Sequence, residues 1–237
     1  MAKYQQAVSL GFFCSPAMEL QRISRRHTSS PFDWLISEKL SVVLTLIDNG
    51  FEDFLTAEYF CQLQDHPQIY RNTKWNVDFY HDFSPLKSFS SQYDAFRKKY
   101  ERRIRRFYET IKTPTLFIRY VFADEIPYLN ENYASIVAAL QKYNPANDII
   151  FVSNNDVKDH FTPHIPVYYV EKDQNDTVAR KFLIKNSALQ QFIAEQVDPC
   201  PEKKDSMLDS LRKLAQKVLY KILAKLRLTY KHENQCR

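Results

Sequence analysis

Residues 115–121 read TLFIRYV, a strongly apolar run that predicts a buried β-strand. Three further runs have the same character: QAVSLGF at 6–12, DIIFVS at 148–153 and IPVYYV at 165–170. Helical patterns lie between them along the chain. Strands that alternate with helices predict an α/β fold, with a mostly parallel sheet that helices cover on both faces.

The first predicted helix follows the first strand. Ser15 stands as its N-cap and Pro16 as its first helical residue, and the helix continues to about Arg26. Apolar spacing predicts further helices at about 37–49, 91–112, 128–143 and 178–196. Residues 76–83 alternate polar and apolar side chains and predict another strand, whereas residues 51–75 are predicted to be irregular.

Composition and charge exclude several classes of function. The 237 residues include 2 glycines, so the chain has neither a Walker-type phosphate loop nor a G-x-G-x-x-G dinucleotide turn. The net charge is +5, but residues 202–237 carry a surplus of +6 and the rest of the chain carries −1. Because the body is neutral, no nucleic acid is expected as a partner.

The basic C-terminal stretch predicts a second unit. Pro201 marks the boundary between an α/β domain at 1–201 and a helix with tail at 202–237. Residues 205–228 place leucines on one face of a helix and lysines and arginines mostly outside it. This pattern is typical of a helix on an anionic membrane surface, and also of one docked on the body or on a second subunit.

Cysteine use and the N-terminus indicate the compartment. The four cysteines are far apart, and the first residues lack the apolar core of a signal peptide. No run approaches the ~18 apolar residues of a membrane span. We therefore expect a cytoplasmic protein with reduced thiols.

His160 and His164 have a metal-like spacing, but Pro163 lies between them, so neither a metal site nor a cofactor is expected.

Cys14 is the first candidate for chemistry. It follows a predicted strand and precedes a helix N-terminus, where free N–H groups and the helix dipole favour a thiolate. A small apolar role among Phe12, Phe13 and Ala17 is the alternative. His81 is the candidate general base, with Asp82 or Asp78 nearby to orient it, although an ordinary surface histidine fits its position too.

Other polar residues lie in or after the predicted strands. Arg119 is inside the strand 115–121, Asp124 follows that strand, and Asn154 follows the strand 148–153. A buried arginine needs a partner or an anion. Arg119 therefore either holds a substrate carboxylate or phosphate, or pairs with Asp33 or Asp124 as a structural element. Asp124 and Asn154 are candidates for substrate binding at the same edge.

Three segments carry a family resemblance: SLGFFCSPAMELQR at 9–22, SSPFDWL at 29–35 and FYHDF at 79–83. Together they resemble a bacterial domain family of unknown function described as putative papain-like cysteine peptidases. That family has the pattern S-L-G-x-x-C-x-x-A, then P-F-D-W, then H-D-F. The resemblance covers residues 6–155, and the papain motif C-G-S-C-W is absent.

The resemblance implies a site. Cys14 becomes the nucleophile and His81 the base, which Asp33 or Asp82 orients, and Trp34 of the PFDW segment contributes to substrate binding. Backbone N–H groups around Ser15 and Ala17 would stabilise an oxyanion. The chain is also similar, more loosely, to capsule-biosynthesis proteins linked to acyl transfer. An acyl- or glycan-type substrate in bacterial surface polysaccharide biosynthesis follows from this, at the inner membrane face.

A function of another class stays open on the sequence alone. In it, Arg119, Asp124 and Asn154 would grip a glycan or a nucleotide-linked ligand, and the basic helix would dock the protein at the membrane. Cys14 would then be a packing residue.

Overall fold

The computed structural model describes residues 2–174 and 178–201. The strands in these ranges are β1 (Gln6–Ser9), β2 (Leu35–Ser37), β3 (Phe60–Leu63), β4 (His66–Asn72), β5 (Val77–Phe79), β6 (Thr115–Val121), β7 (Asp148–Asn154) and β8 (Val167–Val170). The α-helices are α1 (Ser15–Arg22), α2 (Leu40–Asp48), α3 (Phe89–Ile111), α4 (Ile126–Gln141), α5 (Phe182–Lys185) and α6 (Ser187–Gln196). Short 3-10 helices occupy Ala57–Tyr59, Ala123–Glu125 and Asn155–His160.

The four apolar runs of the sequence form one parallel sheet in the order β1-β6-β7-β8. In its register, Gln6 lies opposite Thr115, Leu116 opposite Asp148, and Phe151 opposite Val167. This sheet confirms the predicted α/β class. Strand β1 ends at Ser9, earlier than predicted.

Helices cover both faces of the parallel sheet. Leu116, Ile118 and Tyr120 of β6 face a cluster formed with α1, α5 and α6. Phe117 and Val121 face the opposite cluster, formed with α2, α3 and α4. Because side chains alternate along a strand, one run of apolar residues supplies both clusters.

A second sheet was missed by the sequence analysis. It is antiparallel, in the order β2-β5-β4-β3, and takes in much of the stretch predicted to be irregular. The prediction of a mostly parallel sheet therefore applies to half of the strands. The signal was weak because these strands lack continuous apolar runs: β4 reads HPQIYRN, and the strand predicted at 76–83 is reduced to Val77–Phe79.

Aromatic packing joins the second sheet to α3. Phe79 has its ring centroid 5.5 Å from that of Phe54, 5.1 Å from Phe96 and 5.3 Å from Tyr100. These four rings are almost completely buried. Phe96 and Tyr100 therefore lie on the inward face of α3, and this face anchors the strand that precedes His81.

Two helices differ from prediction in ways that affect the site. Cys14, not Ser15, is the N-cap of α1, and the Ser15 hydroxyl instead donates to the carbonyl of Arg180. The helix predicted at 178–196 is replaced by α5 and α6, with Asn186 in an extended conformation between them. Asn186 Oδ1 accepts from Leu189 N at 2.9 Å and thereby caps α6.

The predicted helix at 205–228 lies outside the described residues, and the domain boundary near Pro201 stays a prediction. In the described part of the chain, no helix has the length and apolar character needed to cross a membrane.

Candidate functional site

The loop between β1 and α1 has a fixed path. Gly11 has a φ of +83°, and a Cβ at this position would lie 2.6 Å from the Ser37 hydroxyl. Only glycine meets both the left-handed conformation and the close approach. Backbone bonds hold the loop from two sides: Ser37 N donates to Phe12 O at 2.9 Å, and Tyr120 N donates to Gly11 O at 3.1 Å.

Arg119 lies beneath this loop and is completely buried. Its guanidinium donates to Glu125 Oε2 at 2.9 Å, to Leu10 O at 2.8 Å and to Ser37 O at 2.8 Å. Burial lowers the pKa of Arg119 and raises the pKa of Glu125, and each charge opposes the shift of the other. Of the two roles left open by the sequence, this geometry favours the structural one, with Glu125 as the partner instead of Asp33 or Asp124.

Cys14 follows the loop at the N-terminus of α1 and is partly buried. Burial raises the pKa of its thiol above the usual value, whereas its own backbone N–H and the charge of Arg180 lower it. The helix N-terminus alone was expected to favour a thiolate. In the structure, desolvation is the largest influence on this pKa and raises it, which is opposite to the direction expected from the helix N-terminus.

A cavity of about 590 Å³ opens beside Cys14. The residues around it come from α1, from the segment that begins β2, from the end of β5 and from residues 178–181. They are Phe13, Cys14, Ser15, Met18, Glu19, Arg22, Trp34, Leu35, Ile36, Tyr80, His81, Val178, Arg180 and Lys181. Four of the residues assigned from the sequence, Cys14, Ser15, Trp34 and His81, therefore line the same cavity although they come from three distant segments.

His81 is exposed and lies against Trp34. The two ring centroids are 6.0 Å apart and the rings are nearly perpendicular, at 88°. The guanidinium carbon of Arg26 lies 5.5 Å from the centre of the Trp34 ring. Among the described residues, no hydrogen bond joins His81 to Cys14, so the cavity is the geometric link between them.

The two carboxylates expected to orient His81 have other partners. Asp33 is buried and pairs with Arg26, whose Nε donates to its Oδ2 at 3.0 Å. Burial raises the pKa of Asp33, and Arg26 opposes this shift. Asp82 pairs with Lys99 and accepts from the Tyr100 hydroxyl at 2.9 Å. Neither carboxylate is hydrogen-bonded to His81 among the described residues: Asp33 Oδ2 accepts from Arg26 and from Ser30 N, and the two oxygens of Asp82 accept from Lys99 and Tyr100.

The two remaining candidates lie away from the cavity. Asp124 is exposed and its Oδ2 accepts from Lys39 at 2.5 Å. Asn154 is buried and accepts from the Tyr120 hydroxyl, which in turn accepts from Ala179 N at 3.0 Å. Together with the buried Arg119, these placements do not form the ligand-gripping edge that the sequence suggested at the ends of β6 and β7.

Sequence reasoning missed part of the cavity wall. Met18 and Arg22 follow Cys14 at intervals of four residues, so helical periodicity would have placed them on its side of α1. Arg180 and Lys181 had no such signal, because they are more than 160 residues away in sequence and reach the cavity through the fold. Within the described ranges, no group of three His, Cys, Asp or Glu side chains could hold a metal ion.

Comparison with known proteins agrees with the motifs. Residues 5–156 match a family of domains of unknown function described as "Putative papain-like cysteine peptidase". An uncharacterized protein of Acanthamoeba polyphaga mimivirus is 34% identical over 121 aligned residues, which cover 43% of this chain and 54% of the viral protein. The alignment thus takes in about half the length of that curated relative. No solved structure matches the chain.

Proposed function

Because the chain belongs to the family described as "Putative papain-like cysteine peptidase", we propose that it is a cysteine-dependent hydrolase or acyltransferase. Cys14 is the nucleophile and His81 the general base. The observation that carries this proposal is their common position on the wall of one cavity. A nucleophile and a base from segments 67 residues apart in sequence, lining the same cavity beside a helix N-terminus, suit covalent acyl transfer.

The chemistry follows from these positions. Cys14 Sγ attacks an acyl carbonyl in the cavity while His81 accepts the thiol proton. The tetrahedral intermediate collapses, the bond to the leaving group breaks, and His81 returns the proton to that group. Water or a second acceptor then attacks the thioester carbonyl, and its proton passes through His81 back to Sγ. The raised thiol pKa favours deprotonation during attack over a preformed ion pair.

Trp34 is a positioning residue for the base in this proposal. Its edge-to-face contact with His81 restricts the imidazole in the absence of a carboxylate partner. Arg26 over the Trp34 ring, itself paired with Asp33, fixes the indole. Asp33 thus acts on the site at a distance, through Arg26 and Trp34.

Negative charge on the intermediate has two sources of stabilisation. The first turn of α1 offers the backbone N–H groups of Ser15 and Ala17, whereas Pro16 has none. The positive charge of Arg180 reaches the same place, since it also acts on the Cys14 thiol. Both groups favour an oxyanion next to Sγ.

The substrate class, the pathway and the location are also proposals. We propose an acyl- or glycan-type substrate and a role in bacterial polysaccharide biosynthesis, on the basis of the resemblance. The charge pattern of residues 205–228 is the basis for proposing contact with an anionic membrane surface. The curated relative is viral and does not bear on the bacterial setting. The alternative of a noncatalytic ligand-binding module loses support, because Arg119 and Asn154 are occupied in the interior.

Hydrolysis of a set of short-chain aryl esters and thioesters tests the proposal. Cys14→Ala is expected to abolish turnover, and His81→Ala to lower kcat/KM by about 10²–10⁴-fold, the usual contribution of a general base. Cys61→Ala and His66→Ala are matched controls, since both residues are exposed and lie in β3 and β4 away from the cavity. Full activity in Cys14→Ala, or equal losses in His66→Ala and His81→Ala, would overturn the assignment.

A further inference from the structure

A strongly basic stretch lies in the middle of α3. Residues 97–106 read RKKYERRIRR, with seven basic side chains and one acidic side chain. Glu101 accepts from Arg97 Nε at 2.8 Å, and Lys99 pairs with Asp82 of the loop after β5. Within the described ranges, no hydrogen bond or ion pair engages the other five basic side chains, which are Lys98, Arg102, Arg103, Arg105 and Arg106.

Two of these five side chains, Arg103 and Arg106, are half-buried. Nη1 of Arg103 and Nε of Arg106 are shielded from solvent, and neither atom has a hydrogen-bond partner in the described part of the chain. A shielded donor on a charged group is costly without an acceptor. The two residues are three positions apart on the helix, so their guanidinium groups lie on the same side of it. Because both residues are half-buried, a ligand can reach these side chains from solvent.

The segment before β2 packs on this side of α3. The Phe32 ring centroid lies 5.7 Å from that of Phe107, and this contact brings Asp33 and its partner Arg26 next to the helix. Burial raises the pKa of Asp33, and the charges of Arg26 and of Arg103 oppose this rise. Since Asp33 is already bonded to Arg26, its single charge does not neutralise Arg103 as well.

The charges that act on Arg106 all have the same sign. Burial lowers its pKa. Four other arginines lower it further: Arg102, Arg103, Arg105 and Arg26. The guanidinium of Arg103 lies 4.9 Å from the centre of the Tyr100 ring, and Asp82, which is bonded to that tyrosine, is paired with Lys99. The place around Arg103 and Arg106 therefore has an excess of positive charge.

We propose that Arg103 and Arg106 form a binding site for a phosphate group on the side of α3 next to the Arg26–Asp33 pair. A phosphate monoester carries a charge of about −1.5 to −2 at neutral pH and has three oxygens that accept hydrogen bonds. Two guanidinium groups can share these oxygens, whereas one arginine is enough to saturate a carboxylate. The site is separate from the cavity beside Cys14, because neither arginine lines that cavity.

Isothermal titration calorimetry of the full-length protein tests the proposal with inorganic phosphate, glycerol phosphate and acetate at constant ionic strength. At least one of the two phosphates is expected to bind about tenfold or more tightly than acetate. Arg103→Met, Arg106→Met should weaken this binding by about tenfold or more. Lys87→Met, Lys98→Met is the matched control, because it removes two charges from exposed residues and leaves both arginines in place.

Thermal unfolding distinguishes a binding site from a structural role of the two arginines. In chloride, Arg103→Met, Arg106→Met should be at least as stable as the native protein, because it removes like charges and unpaired donors while the methionines keep the apolar stems. Saturating phosphate should raise the melting temperature of the native protein by about 2–4 °C and leave that of the variant unchanged. A variant that is less stable than the native protein in chloride, or that does not fold, would overturn the proposal.

Arg103→Lys, Arg106→Lys keeps both charges and removes the planar donors. It should fold and should also bind the phosphates more weakly than the native protein. Unchanged binding in this variant would show that net charge alone attracts the anion and would overturn the site. Equal affinities for the phosphates and acetate, or equal losses in the double methionine variant and its control, would overturn it too.

Two further probes identify the source of the phosphate group. Binding of glycerol phosphate indicates a small phosphate monoester. Binding to phosphatidic acid vesicles that is lost in Arg103→Met, Arg106→Met indicates a lipid headgroup, and either result supports the proposal. Binding of a single-stranded oligonucleotide without binding of inorganic phosphate or glycerol phosphate would overturn it, because α3 would then be a general polyanion surface.

Discussion

At the scale of the residue, Arg119 shows how a buried charge fixes the loop that precedes Cys14. Its guanidinium contacts the loop after β1, the end of β2 and the carboxylate that precedes α4. A charge in such a place is tolerated only with a close partner and further hydrogen bonds. The sequence indicated that Arg119 needed a partner but did not identify it. The partner is Glu125, which the turn Ala123–Glu125 brings back to the strand, and the strand pattern gave no sign of that turn.

Arg119→Met is expected to lower the free energy of unfolding by about 3–5 kcal/mol, because Glu125 would remain buried without its partner. Urea denaturation measures this loss. In Arg119→Met, Glu125→Gln the buried negative charge is gone, and the amide oxygen can still accept from Leu40 N, which lies 2.5 Å from the Glu125 carboxylate. The double variant should be the more stable of the two. Equal stabilities would show that the ion pair is not the source of the effect.

The titration of Cys14 belongs to the same scale. Burial raises the pKa of the thiol above its ordinary value. At neutral pH the thiolate fraction is therefore smaller than that of a free thiol, and alkylation by iodoacetamide should increase up to a pH above the usual value of ~8.5. Arg180→Met removes an opposing positive charge, so it should raise the pKa further and slow alkylation at pH 8.

High salt screens the charge of Arg180. It should therefore shift the pH profile of Cys14 alkylation in the native protein toward that of Arg180→Met. Peptide mass spectrometry separates Cys14 from Cys61, Cys200 and Cys236 in this measurement. If alkylation of Cys14 has an apparent pKa below that of a free thiol, the thiol is not protonated at rest, and a preformed thiolate is indicated instead.

At the scale of the element, helix α3 determines where His81 stands. Asp82, the next residue, is held by Lys99 and by Tyr100, both on α3. The strand before His81 packs its Phe79 on the same helix. The three residues of the HDF motif therefore have different surroundings: His81 lines the cavity, Asp82 pairs with α3, and Phe83 packs on the Phe96 ring of that helix. The spacing of the motif alone could not show that Asp82 points away from His81.

Tyr100→Phe removes one of the two bonds that hold Asp82 and should cost about 1–2 kcal/mol of stability. It should also lower kcat/KM through displacement of His81, with the alkylation of Cys14 unchanged. Tyr108→Phe is the matched control on the same helix, since its hydroxyl donates to Ile47 O at 2.7 Å, away from the cavity. If both variants lose activity equally, the loss reflects general stability and α3 does not position the base.

At the scale of the whole molecule, the parts of the fold that the sequence predicted are those with strong local patterns. The four strands of the parallel sheet and the long helix α3 carry continuous apolar or periodic signals. The antiparallel sheet does not, because its strands lack continuous apolar runs and depend on aromatic packing against α3. The same holds for the residues of the candidate site. Cys14, Trp34 and His81 lie in sequence motifs and could be predicted, whereas Arg180 and Lys181 reach the cavity only through the tertiary structure.

The central claim is that Cys14 and His81 act together on an acyl group bound in the cavity. Incubation with an acyl thioester, followed by acid quench and peptide mass spectrometry, tests it most directly. We predict an acyl adduct on Cys14 that forms and decays in the native protein, forms much more slowly in His81→Ala and forms at the native rate in His66→Ala. An adduct on another residue, or one on Cys14 whose rate is indifferent to His81, would contradict the account.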